Sequence, residues 1–483
     1  MALAIILIFV VFATLLGVYA GRHKKMDLEN WSVGGRNFGG VLVWVLMAGE
    51  IYTTFSFLGA SGWAYSKGAP TFYILIYIAL AYVLSYFILP PIWRIGKKHQ
   101  LVTQSDFFAT RFNSKWLGVL VAVVGVCFIV PYLQLQLTGL GLIVDIASGG
   151  AISKNVAILI AFAMVALFVF ISGIRGTAWV SVLKDIMMIV AMIVVGIGLP
   201  YHYFGGIGPM FQKLMAEKPG FLQLPGSTPN LNVLWFMSTS LLTACGFYMW
   251  PHYFNAIFTS KSANTFKKNS IVLPIYQLGL VFVFFAGFTA LLVVPGLKNG
   301  DLSFLTLVAK TYPTWFLGLI GAAGAITAMV PSAVLILTAS TLLSKNIVKE
   351  AFLPNMSTKG VGKLARWLVL VITFIALVFA IAFPSALVNL LLIGYDGVTQ
   401  FFPGVVLGLL WKRTSKAGVA SGIIAGILVT AILVIGKMDP FFGINAGFVA
   451  LVVNFFVTVV ISALFPAKVS ETPPINDQPQ LHV

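Results

Sequence analysis

Residues 41–65 read VLVWVLMAGEIYTTFSFLGASGWAY. The run is long and apolar enough to cross about 30 Å of hydrocarbon as a helix, but its middle, Ala48-Gly49-Glu50-Ile51-Tyr52-Thr53-Thr54, suits a plain helix poorly. Glycine weakens the helix, threonine hydroxyls compete for its backbone groups, and a carboxyl at mid-depth is costly in lipid. A span broken at this point, with Glu50 turned inward, removes the conflict, because irregular backbone at membrane depth is tolerated where it lines protein or a cavity. Gly49–Thr54 therefore predicts an interior pathway in which freed carbonyls and amides hold an ion or a small solute.

Working outward, twelve further apolar runs lie near 3–20, 71–93, 117–147, 152–173, 178–201, 232–252, 269–294, 315–343, 364–383, 385–411, 416–437 and 443–465. Hydrophobic residues make up 59% of the 483 and charged ones 9%, far from the balance of a soluble domain. The reading is an all-α polytopic membrane protein of about 13 spans. Lys and Arg alternate between crowded and sparse connections: counted with the nearest connection, 22 fall on one side and seven on the other, and only Lys184 lies deep inside a span. The positive-inside rule then places the N-terminus outside and the C-terminus in the cytoplasm. The net charge of +17 is spent on loops facing anionic lipid, so no nucleic-acid role is assigned. Residues 1–20 lack a basic leader and a small-residue cleavage site, and read as a retained first span.

Interior polar residues are few. Lys184 and Asp185 lie well inside a span, and their adjacency, about 100° apart around a helix, predicts separate partners. Asp396, between Tyr395 and Gly397, is a further interior acid. Glu50, Lys184, Asp185 and Asp396 are thus the candidates for proton binding or coupling. Gln134 and Gln136 follow Pro131 in mid-span and must find partners, either solute or a neighbouring helix. Gly246-Phe247-Tyr248-Met249-Trp250-Pro251-His252 ends a span in aromatics and a helix-breaking proline; it reads as a gate or an interfacial belt, with His252 near the cytoplasmic end. Cys127 and Cys245 have no metal-like spacing and read as small buried hydrophobes. No HExxH or phosphate-binding loop occurs, so no enzyme is indicated and no cofactor is expected.

Pro403-Gly404-Val405-Val406-Leu407-Gly408-Leu409-Leu410-Trp411-Lys412-Arg413-Thr414 with Gly418 resembles a signature of the sodium:solute symporters. Leu101-Val102-Thr103 with Asp106-Phe107, Gly59 to Tyr65, and Pro251-His252 with Ser260-Lys261 support it. The resemblance implies a leucine-transporter type fold with two inverted five-helix repeats. Its divisions are 1–40 (extra helix and loop), 41–201 (first repeat), 202–231 (external loop), 232–411 (second repeat), 412–467 (two final helices) and 468–483 (disordered tail). It places substrate at the two breaks, on Glu50, Tyr52, Thr53, Thr54, Phe247, Tyr248 and Trp250, with Gln134 and Gln136 nearby.

Gly49-Glu50-Ile51-Tyr52-Thr53-Thr54 and Met329-Val330-Pro331-Ser332 look most similar to the monocarboxylate permease branch. This implies cation-coupled import of a small monocarboxylate or short amino acid in a bacterial plasma membrane. The alternatives are sodium symport of another nutrient (proline, pantothenate, a sugar) and a passive facilitator or channel. The family's sodium site would fall on Gly49, Tyr52, Thr327, Val330 and Pro331. Val330 and Pro331 offer no side-chain oxygen, which leaves the site degraded unless Ser332 substitutes. Lys184 stands where an uncharged amide is usual, so the coupling ion is H⁺ or Na⁺, with the ammonium filling the cation position in the first case.

Overall fold

The computed structural model describes residues 1–21 and 28–467; the C-terminal tail and part of the first connection lie outside them. Among the described residues there are helices and two isolated β-bridges, and no strand. Ten helices are long and apolar enough to cross a membrane, and a pair bent by 48°, Val233–Met249 with Pro251–Thr259, makes eleven. Gly40–Gly49 and 154–170 are shorter apolar helices.

Caps and prolines mark where the chain turns. Ser114, Asn232, Ser415 and Asn445 each accept from a backbone N–H in the first turn of the helix they start. Thr103 and Asp106 form a reciprocal capping box at the helix Gln104–Arg111. Two runs read as separate spans, 152–173 and 178–201, follow each other without a loop: the helices 154–170 and Gly173–Phe204 meet at a kink at Gly173, which lies in the left-handed region (φ 57°). Glycine can take that conformation without a Cβ penalty, so a short connection is replaced by a single residue. The connection 202–231 carries the amphipathic helix Ile207–Glu217, with Met210 and Leu214 buried. It lies on the end of the first broken span through Ala69 N to Phe221 O (2.9 Å) and Ser227 N to Lys67 O (3.1 Å).

The centre is the helix Thr314–Thr341, buried from Ile320 to Thr341 and packed against Ala2–Gly21, Lys115–Ala147 and Lys154–Phe204. Peripheral helices instead expose apolar faces such as Phe374, Leu428 and Phe456, which is the pattern of a lipid-facing surface. Cys127 is on such a face and not buried as its sequence suggested; Cys245 is half-buried. At one end of the bundle the chain entering the first broken span is stapled to the chain leaving the second. Phe38 N donates to Thr259 O at 3.0 Å and Lys261 N to Phe38 O at 3.2 Å.

Candidate functional site

The run 41–65 is broken as its sequence requires. The helix Gly40–Gly49 stops, Glu50 to Thr54 are irregular, and the chain restarts as a π-turn at Phe55–Gly59 and the helix Ala60–Ser66. Val233–Gly246 breaks likewise: a tight turn covers Phe247–Met249, Trp250 is extended (φ −60°, ψ 133°), and Pro251 opens the helix Pro251–Thr259. Pro at the first helical position suits such a restart. Residues of the two breaks share one cavity. Glu50, Tyr77, Tyr132, Phe247, Trp250, Tyr253 and Tyr395 line it.

His252 Nε2 lies 3.3 Å from Glu50 Oε2, and both side chains are almost fully buried. Neither Glu50 oxygen and neither His252 nitrogen has a hydrogen-bond partner, an arrangement that buried polar groups avoid unless a ligand, water or proton completes it. Around the pair the rings interlock, with centroids 4.9 Å apart for Tyr132 and Trp250, 5.4 Å for Trp250 and Tyr395, and 5.7 Å for Tyr77 and Tyr395. Gly394 gives Trp250 its place, since a Cβ there would collide with the indole. The empty space totals about 300 Å³, but only about 10 Å³ admits the centre of a water molecule. A solute larger than water therefore enters only if these rings move.

A second cluster lies behind the first break. Lys184 Nζ donates to the carbonyls of Gly49 and, at 3.0 Å, Tyr52. It also lies 3.2 Å from Asp185 Oδ1, with the lysine side chain wholly buried. The expectation of partners on other elements holds for the hydrogen bonds of Lys184, which go to the first break, while the adjacent Asp185 carboxylate also lies within ion-pair distance of its ammonium. Gly49 is the floor of this contact, since a Cβ there would meet Lys184 Nζ at 3.2 Å and Ser181 Oγ at 3.4 Å. The two carbonyls are the ones the resemblance assigns to sodium. Thr327 Oγ1 is buried without a partner, Val330 and Pro331 bring no oxygen, and Ser332 Oγ donates to Ala328 O at 2.7 Å within its own helix. Two carbonyls carrying an ammonium and one free hydroxyl do not make the oxygen shell that a hard cation needs. The residues present do not fit sodium here.

The other candidates are placed as follows. Tyr52 turns away from the cavity and its hydroxyl donates to Tyr276 O at 2.5 Å. Thr53 Oγ1 accepts from Phe55 N (3.1 Å), and Thr54 Oγ1 donates to Gln136 Oε1 (2.6 Å). These two residues and Gln136 hold the break in shape. Gln134 Nε2 donates to Phe383 O (2.6 Å), a helix-to-helix bond. Tyr248 packs on Phe247 and Tyr253, one layer behind the lining. Asp396 lies away from the cavity, against Gly447 at the start of the last helix, where Gln400 bonds the Asp396 carbonyl and Asn454 bonds Gln400.

His252 lies beside Glu50 at the cavity and not at an end of its bent span: the 247–250 break turns the helix Pro251–Thr259 so that its first residues face the cavity. Tyr77, Tyr132, Tyr253 and Tyr395 line the cavity without having been singled out. Their one signal in the sequence is tyrosine within apolar runs, which also marks interfacial belts.

The Thr103 and Asp106 motif proves to be an anchor. Asp106 accepts from Val102 N, Thr103 N, Asn346 Nδ2 and Lys345 Nζ, which ties the helix Gln104–Arg111 to the end of the central helix. Burial pushes the Asp106 carboxyl up, but the Lys345 ammonium, the Asn346 amide and the Val102 N–H together hold it below the usual aspartate range.

Over residues 31–426 the chain matches the sodium:solute symporter family. It is 48% identical over 476 residues to the "Uncharacterized symporter YhjB" of Bacillus subtilis, an alignment covering 95% of this chain and 97% of the relative. It is 30% identical over 486 residues to the "Monocarboxylate transport permease protein" of Rhizobium johnstonii, covering 97% of each. A solved Na⁺-coupled sialic acid symporter in a substrate-bound outward-open state superposes with a TM-score of 0.81 at 17% identity, over 97% of this chain and 98% of that one. That likeness shows a leucine-transporter type fold.

Proposed function

The chain belongs to the sodium:solute symporter family and is a multi-pass membrane protein, a cation-coupled transporter of a small solute and not an enzyme; from that premise we propose that it imports a small monocarboxylate or short amino acid, by alternating access, in symport with protons. In this reading the spans number thirteen, counting the short apolar helices and each broken pair once. Spans two to six and seven to eleven are inverted repeats, and the N-terminus is outside a bacterial plasma membrane.

One observation carries the choice of ion: Lys184 Nζ sits on the Gly49 and Tyr52 carbonyls. A fixed ammonium supplies the charge that a bound cation would otherwise bring, so no sodium is needed to hold the break. The mobile charge is then a proton carried by the Glu50 and His252 pair, which faces the cavity where the two breaks meet.

A short amino acid is favoured over a plain monocarboxylate by the composition of the cavity. It holds one carboxyl, Glu50, without a hydrogen-bond donor, among seven aromatic side chains. Both solutes bring a carboxylate, but only an amino acid adds an ammonium group, which offsets the Glu50 charge and suits ring faces.

Uptake of radiolabelled alanine and lactate by purified protein in liposomes tests this directly. Accumulation that competes with excess alanine and is abolished in Glu50→Gln, with membrane insertion intact, is expected. Full gradient-driven accumulation in Glu50→Gln would remove Glu50 from the mechanism.

A further inference from the structure

One acid outside the cavity lies where three elements close over it. Asp301, in the short turn Gly300–Leu302, is 4% exposed. Its Oδ2 accepts from Leu387 N at 3.0 Å. Leu387 begins the helix Leu387–Val398, whose own N-cap, Ala386, offers no side-chain acceptor. Asp301 therefore supplies the acceptor oxygen that this helix start otherwise lacks. On its other side Asp301 presses on the outer half of the first broken span. A Cβ at Gly62 would lie 2.7 Å from Asp301 Oδ1 and 2.8 Å from its backbone nitrogen, and one at Gly300 would lie 2.8 Å from Gly62 O. The two backbones meet with no side chain between them. The Leu387–Val398 helix carries Leu391 and Tyr395 of the cavity wall, and the Ala60–Ser66 half-helix leads away from Glu50. A single buried carboxyl thus joins both walls at their outer end.

We propose that Asp301 is a proton-operated positioning residue of the outer closure: it takes up a proton as the Ala60–Ser66 half-helix, the 300–302 turn and the head of the Leu387–Val398 helix come together, and returns it outside when they part. The proposal rests on the orientation and alternating access proposed above. It differs from coupling, because this proton goes back to the side it came from and sets only the pH at which the outer face closes.

The sign follows from burial. In the closed arrangement desolvation pushes the Asp301 carboxyl up to about 6, against the Leu387 N–H and the Lys154 charge, which act downward. Opening returns it to water and toward its ordinary value near 3.9. The closed state binds the proton more tightly, so acid stabilises closure, and above pH 6 the buried anion favours opening. Between the two values each pH unit changes the closed-to-open ratio up to about tenfold, and about a hundredfold in all.

Other titratable groups on the elements packed here are Tyr65, Lys310, Tyr395 and Asp396. Tyr65 donates to Val294 O and accepts from Leu297 N, and Lys310 Nζ bonds Val293 O. Tyr395 and Asp396 lie two turns further along the Leu387–Val398 helix. Lys298 shares the connection with Asp301. Lys154 is the charge that acts on the carboxyl.

The test uses the full chain in lipid nanodiscs, with Cys127 and Cys245 replaced by serine and spin labels at Lys67→Cys and Asn389→Cys. Distances are measured by pulsed electron resonance from pH 4 to 8. In the parent the short-distance population should grow as pH falls from 7 to 4. Asp301→Asn, which keeps the acceptor oxygen and the shape but mimics the protonated acid, should stay closed at every pH. Asp301→Glu should retain a pH-dependent distance. A parent distance independent of pH, or an Asp301→Asn chain that follows pH as the parent does, would overturn the proposal. The measurement needs no solute, so it separates from the transport reading. A chain that opens through Asp301 yet accumulates neither alanine nor lactate defeats the function and leaves the latch standing. One that accumulates a solute while ignoring Asp301 does the reverse.

Discussion

Replacing Lys184 by methionine removes the group on which the ion assignment depends, and its cost can be worked from the geometry. The ammonium makes two hydrogen bonds to main-chain carbonyls and one ion pair with Asp185, all buried. Removing one member of such a buried set strands the rest, typically costing about 3–5 kcal/mol. Methionine fills most of the volume, so little of this is cavity formation. The double variant Lys184→Met with Asp185→Asn removes the stranded charge and leaves two unmet carbonyls, which at about 1 kcal/mol or somewhat more each gives roughly 2–4 kcal/mol in total. The double variant should therefore be no less stable than Lys184→Met alone, a non-additivity that independent sites do not show. Unfolding by a denaturing detergent in mixed micelles, followed by tryptophan fluorescence, measures all four corners of the cycle. Lys184→Met within about 1 kcal/mol of the parent, or full additivity with Asp185→Asn, would refute the reasoning, since either result means that the ammonium is not committed to these partners.

Other outcomes follow from the same structure. Gly49→Ala places a methyl 3.2 Å from Lys184 Nζ. It should cost about 1–3 kcal/mol of stability and abolish uptake of alanine in liposomes, whereas unchanged uptake would place the ammonium elsewhere. Asp106→Asn should destabilise the chain at pH 7 and cost nothing once the pH is below the depressed value of the native carboxyl. Asp106 is held below its ordinary pKa, so its contribution is full above the unfolded value near 3.9 and vanishes as pH falls through the folded one. Unfolding midpoints of parent and variant compared across pH 2–7 check this, and a constant difference would contradict it.

The fold was legible in the sequence because a bilayer imposes length and apolarity on every span, and the break at 49–54 was legible because glycine, threonine and a carboxyl violate both at one point. The placement of Glu50, Phe247 and Trp250 on a common cavity follows from those breaks. What stayed hidden depends on which way a helix face turns. Tyr77, Tyr132 and Tyr395 come from three different helices, and an apolar run with tyrosine looks the same whether the ring faces lipid or the interior. His252 was misplaced because distance along the chain was taken for depth, and a span that breaks and bends by 48° does not keep the two proportional. Asp301 gave no signal at all: an aspartate beside glycine in a connection looks solvated, and only the packing of Gly62 against it reveals otherwise.

The central claim is that a protonatable carboxyl and a fixed ammonium, and not a sodium ion, connect the gradient to the solute. It is tested most directly in liposomes holding purified protein, with an inward proton gradient and no sodium on one arm, and an inward sodium gradient at equal pH on the other. The account predicts accumulation of labelled alanine on the proton arm alone, with acidification of a trapped pH dye that requires alanine outside. Accumulation driven by sodium at equal pH, with the dye unchanged, would contradict it.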